Sequence, residues 1–186
     1  MKKIMFNDRY GLTQAVLKGQ KTVTRRIMNR QPDPDDIAYM EPKDYPCQPP
    51  YKVGEIVAVA QSYDQIDPQI VHCRIDDLGD WGGDHPGQYN KMFVQADLMP
   101  HQIRITSVRP ERLQDITDED CFKEGVIWDE ADLEYDTYEF YDYSGNEDDG
   151  FDTPREAFAS LIDKISGRGT WERNPFVWRV EFKLVK

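Results

Sequence analysis

The clearest alternation of apolar and polar positions lies in the segment FVWRVEFKL, residues 176–184. Phe176, Trp178, Val180 and Phe182 stand at every second position. Because successive side chains of a strand point to opposite faces of a sheet, this pattern predicts a β-strand with a buried face. The apolar run EIVAVA, residues 55–60, is typical of a second, buried strand. Weaker strand patterns lie at residues 3–6, 21–27, 69–75, 92–96 and 102–108.

Two short helices are predicted from apolar spacing and capping residues. Leu12, Ala15 and Val16 form an apolar stripe, and Gly19 just beyond it is a typical helix stop. The other short helix begins after Thr117, a capping residue that is followed by an acid three positions later. Both helices are therefore delimited by local sequence.

A third, longer helix begins in the segment TPRE, residues 153–156. A capping threonine, a proline at the first helical position and a glutamate at the third combine there. The predicted buried face comprises Phe158, Leu161, Ile162 and Ile165. Along the chain, strands do not alternate strictly with helices. This order predicts an α+β fold, a small, mostly antiparallel β-barrel flanked by helices.

The length and the charge of the chain limit the number of domains and the kinds of ligand that we expect. The 186 residues are enough for one domain with a sizeable core. The formal net charge is −12, yet residues 1–31 contain eight lysines and arginines against one acid, Asp8. This asymmetry predicts a local anion site on a molecule that otherwise repels polyanions. Binding to long duplex DNA is not expected, because it usually needs a broad basic face.

The positions of cysteine and histidine argue against several kinds of site. No C-x-x-C pair joins the three cysteines, Cys47, Cys73 and Cys121, so neither a zinc ribbon nor a disulfide framework is predicted. The three histidines are scattered, so we expect no metal site and no cofactor. No apolar run approaches the roughly 20 residues that span a bilayer, and residues 1–10 have too short an apolar core for a signal peptide. We therefore expect a cytoplasmic protein without a membrane partner.

The segment LKGQKTVTRR, residues 17–26, carries the most informative motif. Its pattern Gly19-x-Lys21-Thr22-x-Thr24-x-Arg26 resembles the G-x-K-x-x-T-x-R signature of ASCH domains, in the PUA-like superfamily. The order of helices and strands is similar, and NPFVW at 174–178 resembles the closing strand of a phage- and bacterial-type subgroup. The resemblance covers most of the chain. It implies a single domain over residues 1–186, with insertions at about 29–50, 62–92 and 128–152.

The resemblance also implies a function. The family fold is a β-barrel with a cleft beside the first helix and the signature strand, and its members are expected to bind RNA or a modified nucleoside. One branch consists of amidohydrolases of N4-acylated cytidine, in which a lysine, a threonine and a glutamate act together. The matching residues here are Lys21, Thr24 and, at the end of the short acidic helix, Glu124.

Catalysis by these three residues requires two conditions, one on the pKa of Lys21 and one on the directions of the side chains. A threonine hydroxyl is a poor nucleophile until a base removes its proton. Lys21 is such a base only if its pKa falls, through burial or through nearby cations such as Arg25 and Arg26, and an ion pair with Glu124 would oppose that fall. Residues three apart on a strand face opposite sides, so Lys21 and Thr24 converge only if Lys21 precedes the strand.

A binding function would use the same segment without catalysis. Lys21, Arg25 and Arg26 would contact phosphate, with Gly19 and Thr22 completing the ligand-binding signature. A splayed base would stack on an aromatic side chain such as Tyr10, Tyr63 or Trp81. The competing interpretation is structural: the signature is a helix stop followed by an exposed strand, Arg26 pairs with the acidic surface, and the aromatics pack in the core.

The acidic stretch at 128–152 supports a third class of function. Its tyrosines and carboxylates predict a solvated loop, and its continuous negative charge is compatible with a protein-interaction module that mimics nucleic acid. A lid over the basic cleft is another use of the same stretch. A calcium site is not favoured, because NEDDG lacks the alternating ligand spacing of an EF-hand. At the level of sequence, binder, hydrolase and interaction module all remain open.

Overall fold

A computed structural model describes residues 1–33, 35, 39–41, 44–66, 86–132, 137–141 and 150–185, with backbone only for 128–132 and 137–141. Seven strands lie in this part of the chain: β1 (Lys3–Ile4), β2 (Val23–Ile27), β3 (Ile56–Val59), β4 (Gln102–Arg112), β5 (Ile127–Asp132), β6 (Thr137–Tyr141) and β7 (Phe176–Leu184). The α-helices of the same part are α1 (Leu12–Leu17), α2 (Asp118–Glu124), α3 (Pro154–Ser166) and α4 (Thr170–Arg173).

Five strands form one sheet in the order β1–β3–β4–β7–β2. Strand β1 runs parallel to β3, and every other neighbouring pair is antiparallel. The predicted α+β class and the mostly antiparallel pairing are thus confirmed. The sheet is not closed into a barrel, because within the described residues β1 and β2 remain edge strands. A side chain links the two edges instead: Arg26 Nη2 donates a hydrogen bond to the Met5 carbonyl at 2.6 Å.

The predicted ends of the helices are confirmed by their caps. Gly19 has φ +72°, a left-handed conformation that glycine adopts at little cost, just after α1. The Thr117 side chain accepts a hydrogen bond from the Asp120 amide at the start of α2. The pair of Thr153 and Glu156 forms a reciprocal capping box at the start of α3. Local chemistry thus predicts the end of α1 and the starts of α2 and α3, whereas α1 itself begins at Leu12 without a side-chain cap.

Two predictions of secondary structure are wrong. Residues 92–96 were expected to form a strand, but short 3-10 helices occupy Lys91–Phe93 and Ala96–Leu98. The Asn90 side chain accepts a hydrogen bond from the Met92 amide and so favours the turn over a strand. The acidic stretch was expected to be a loop, but it contains the hairpin of β5 and β6. Aromatic residues that favour strands are frequent in its sequence. The strand expected at 69–75 lies outside the described residues.

The core lies on both faces of β7. One cluster packs Trp178, Val180 and Phe182 against apolar residues of β1, β3 and β4. A second cluster packs Val177 against α2 and α3, through side chains such as Cys121 and Phe158. Because α2 and α3 cover one face of the sheet beside edge strand β2, the signature segment lies where the helices meet the sheet edge. In the described part of the chain, no helix is long and apolar enough to cross a membrane.

Candidate functional site

The turn between α1 and β2 sets the direction of the Lys21 side chain. The Lys21 amide donates to the Ala15 carbonyl at 3.0 Å, which holds the residue in the turn that follows the helix. Strand β2 begins only at Val23. Lys21 therefore precedes the strand and is not bound by strand alternation. This is the condition under which Lys21 and Thr24 point to the same space, and both line one cavity.

Glu124 joins these two residues from the end of α2. Lys21 Nζ donates to Glu124 Oε2 at 2.5 Å and to the Glu124 carbonyl at 2.6 Å. Both residues are buried, with 2% and 4% of their surfaces exposed. The sequence alternative of an ion pair between Lys21 and Glu124 is therefore realised. The pair connects α2 to the signature turn across the edge of the sheet.

The cavity has a volume of about 310 Å³ and a lining of mixed chemistry. Lys21, Thr24, Arg26 and Glu124 supply polar groups to it. The apolar side chains of the lining are Phe6, Leu12, Phe158, Leu161, Ile162 and Ile165. The long helix α3 thus turns its buried face to the cavity as well as to the core. Such a space suits a small, flat ligand that combines apolar faces with hydrogen-bonding groups.

Burial changes the acid–base properties of Lys21. Loss of hydration lowers the pKa of its amine, and the nearby cations Arg26 and Arg25 lower it further. The charge and the hydrogen bond of Glu124 oppose this effect, but the net direction is downward. The neutral amine is therefore more accessible at Lys21 than at an ordinary surface lysine. Among the described residues, the Thr24 hydroxyl has no hydrogen-bond partner, so it is available to a ligand.

Arg25 does not serve as a free cation for a ligand. Its guanidinium donates to Glu111 at 2.7 Å, to Asp120 at 2.7 Å and to Glu124 at 3.1 Å. A buried cation requires such partners, because leaving it uncompensated is costly. The expectation of a basic cleft is corrected accordingly: the carboxylates of the protein itself neutralise Lys21 and Arg25. The guanidinium of Arg25 holds Glu124 in place.

Arg179 was not among the predicted site residues, yet it completes this network. It forms a bidentate pair with Asp120, at 2.7 Å from Nε to Oδ2 and 2.9 Å from Nη2 to Oδ1, and it also pairs with Glu181. The hydrogen bond from Arg179 lowers the pKa of Asp120 well below its usual range, against the opposing effect of burial. A sequence signal existed: Arg179 occupies a position within the alternating β7 segment, where an isolated charge requires a buried partner.

Arg26 differs from Lys21 and Arg25 in its partners. No carboxylate pairs with it in the described part of the chain, and its Nε is buried without an acceptor. Its guanidinium carbon lies 5.7 Å from the centre of the Phe6 ring. The proposed pairing of Arg26 with an acidic surface is therefore not observed in that part.

Other predicted ligand-binding residues do not line the cavity. Tyr10 and Tyr63 are buried in two different core clusters, in agreement with the packing alternative. The backbone of Thr22 donates to the Lys123 carbonyl and accepts from the Phe182 amide, so this residue joins α2 to β7. Gly19 forms the exposed turn after α1. Trp81 lies outside the described residues.

Comparisons with known proteins give two solved structures of low sequence identity. No protein-family model and no curated protein matches this chain. A crystal structure of an Enterococcus faecalis protein of family DUF984 matches with a TM-score of 0.44 and 13% identity, over 100% of this chain and 80% of that one. A structure of an ASCH domain from Lactobacillus crispatus matches with a TM-score of 0.35 and 13% identity, over 93% of this chain and 69% of that one. The second match is to the family that the signature resembles.

Proposed function

We propose that the protein binds a modified nucleoside, with the base in the cavity between β2, α2 and α3. The observation that carries this proposal is the cavity itself, whose lining combines the polar groups of Lys21, Thr24 and Glu124 with apolar side chains. A heteroaromatic base has donors and acceptors around its rim and two apolar faces, so it matches both kinds of lining residue. The resemblance of the signature to ASCH domains supports a nucleoside over other flat ligands.

The size of the cavity favours one base over a strand of RNA. A volume of about 310 Å³ lies at the lower end of the range for small-molecule sites. Binding along an RNA backbone would also need several free cations, whereas Lys21 and Arg25 are already paired with carboxylates. The proposed ligand is therefore a nucleoside, or a single nucleotide at the end of a chain.

A direct test is titration of the purified protein with N4-acetylcytidine and cytidine by calorimetry. Ile165 and Leu184 each have 38% of their surface exposed, but Ile165 lines the cavity and Leu184 does not. Ile165→Trp should fill part of the cavity and weaken binding, while Leu184→Trp serves as the matched control. Equal binding by the two variants would place the ligand elsewhere, and no binding by the parent protein would refute the proposal.

A second candidate, hydrolysis of the acyl group, has its own supporting observation. The pKa of Lys21 is lowered and the Thr24 hydroxyl has no partner among the described residues, as a base and a nucleophile require. The neutral Lys21 amine would accept the Thr24 proton while the oxygen attacks the acyl carbonyl. The C–N bond then breaks, the base leaves as its amine with that proton, and water hydrolyses the threonine ester.

One isosteric substitution distinguishes a hydrolase from a protein that only binds the nucleoside. Thr24→Val removes the hydroxyl and retains the shape of the side chain. If the protein is a hydrolase, this variant should lose release of acetate from N4-acetylcytidine and still bind the nucleoside. A parent protein that binds the nucleoside but releases no acetate at high enzyme concentration would exclude hydrolysis of this substrate and leave binding as the function.

A further inference from the structure

A second pocket lies beside the first, at the end of β2. Its volume is about 370 Å³, and its lining includes Arg26, Gln48, Tyr51 and Trp178. Arg26 and Ile27 line both spaces, so the two cavities are neighbours on the two sides of these side chains. None of the predicted catalytic residues, Lys21, Thr24 and Glu124, lines the second pocket. It is therefore a separate feature of the same region.

The charge of this pocket is unusual for the molecule. Arg26 is the charged residue of its described lining, and no carboxylate lies among those lining residues. The protein as a whole carries a formal net charge of −12. A pocket that contains a cation and excludes carboxylates selects for an anion. The first cavity differs, because Glu124 contributes a negative charge to its wall.

Two side chains that line this pocket each contain a buried donor without an acceptor among the described residues. The Nε of Arg26 and the Nε1 of Trp178 are both buried without a partner in the described part of the chain, and Trp178 is only 3% exposed. The two residues are directly opposite each other on β2 and β7, so their side chains lie side by side on one face of the sheet. Two adjacent donors without acceptors call for a group that is rich in acceptor oxygens.

Arg26 is also held in position for such a group. Its Nη2 donates to the Met5 carbonyl at 2.6 Å, which fixes the guanidinium between the edge strands, and its other nitrogens have no partner among the described residues. Arginine binds phosphate oxygens through parallel N–H groups, and a preorganised guanidinium loses little freedom when it does so. Tyr51 adds a phenol to the same lining.

From these observations we propose that the second pocket binds the phosphate group of a nucleotide whose base occupies the first cavity. This inference rests on the proposed function for the position of the base. It specifies the ligand class as a nucleoside phosphate instead of a free nucleoside. Arg26 lies between the two cavities and contacts the phosphate through its guanidinium.

The test compares three probes by calorimetry: cytidine, cytidine 5′-monophosphate and inorganic phosphate. Charge-assisted hydrogen bonds should make the monophosphate bind roughly tenfold more tightly than cytidine, or more. Arg26→Gln should abolish this difference, whereas Arg104→Gln, at an exposed arginine of β4 outside both cavities, should retain it. Gln48→Glu adds a carboxylate at an exposed position of the pocket lining and should also remove the preference without altering Arg26.

The outcomes separate the two proposals. Equal affinity for cytidine and its monophosphate overturns the phosphate pocket and leaves nucleoside binding intact. Binding of inorganic phosphate that depends on Arg26, with no binding of cytidine, supports the pocket and overturns the proposed function. A preference for the monophosphate that persists in both Arg26→Gln and Gln48→Glu overturns the assignment of the phosphate to this pocket. If none of the three probes binds, both proposals fail.

Discussion

Lys21 owes its chemistry to its surroundings more than to its residue type. Its amine is buried, two arginines lie nearby, and one carboxylate holds it at 2.5 Å. The pair with Glu124 joins the signature turn to α2 through side chains. Residue type alone predicts a surface cation at this position. Burial instead lowers the pKa of the amine.

We expect strong coupling between Lys21 and Glu124 in a double-mutant cycle. Lys21→Met or Glu124→Gln alone should reduce the free energy of unfolding by roughly 3–5 kcal/mol, because each removes one member of a buried ion pair. The double variant should lose clearly less than the sum of the two, as measured by urea denaturation.

A matched surface pair provides the control for this cycle. Lys123 and Glu119 are joined on the exposed side of α2 at 2.5 Å, and their side chains are 40% and 78% exposed. Their cycle should give a coupling energy of about 0.5 kcal/mol or less. Additive effects at Lys21 and Glu124, equal to those of the surface pair, would show that the buried pair is not a distinct unit.

The pH dependence of hydrolysis is a second test at this scale. The lowered pKa of Lys21 means that the neutral amine, which acts as the base, forms at lower pH than in an ordinary lysine with its pKa of 10.5. Release of acetate from N4-acetylcytidine should therefore rise with pH, with a midpoint below 10.5. Lys21→Met should abolish that rise. A rate that does not change with pH in the parent protein would contradict a role for Lys21 as base.

At the scale of elements, α3 links stability to the site. Its apolar face packs against β7 and also lines the cavity. The Thr153 hydroxyl accepts from the Glu156 amide at 3.2 Å, and the Glu156 carboxylate accepts from the Thr153 amide at 3.1 Å. This capping box satisfies two amides that would otherwise lack partners at the start of the helix.

Thr153→Ala should therefore lower the free energy of unfolding by about 1 kcal/mol. Thermal or urea denaturation measures the change. Thr106→Ala is the comparison, since Thr106 is exposed on β4 and caps no helix. A loss at Thr153 no larger than that at Thr106 would mean that the cap contributes nothing to the stability of α3.

At the scale of the whole molecule, the buried ion network couples folding to pH. Asp120 is held by Arg179 and Arg25, and its pKa in the folded protein is well below its ordinary value of 3.8. The unfolded chain thus binds a proton at higher pH than the folded protein does. The stabilisation from Asp120 is present above the unfolded pKa and is lost as pH falls below it.

The free energy of unfolding should therefore decrease as pH falls from about 5 toward 2. Urea denaturation at several pH values measures this slope. Asp120→Asn should lower stability at pH 7 and flatten the slope at low pH, whereas Asp64→Asn, at an exposed acid, should change neither appreciably. An unchanged slope in Asp120→Asn would exclude Asp120 as a source of acid sensitivity.

The sequence by itself determined the local features of this protein. Helix caps, the alternation of β7 and the signature motif were all readable, because each depends on residues within a few positions of one another. The sequence also named three of the polar residues that line the cavity, namely Lys21, Thr24 and Glu124, through a family resemblance.

Tertiary structure alone decided which charges remain available. Lys21 and Glu124 are 103 positions apart, and Arg25 and Asp120 are 95 apart, so no local pattern reveals that these groups neutralise one another. Pairing and loss of hydration depend on long-range packing, which brings α2 against the edge of the sheet. The open sheet and the position of Arg26 between two cavities follow from the same packing.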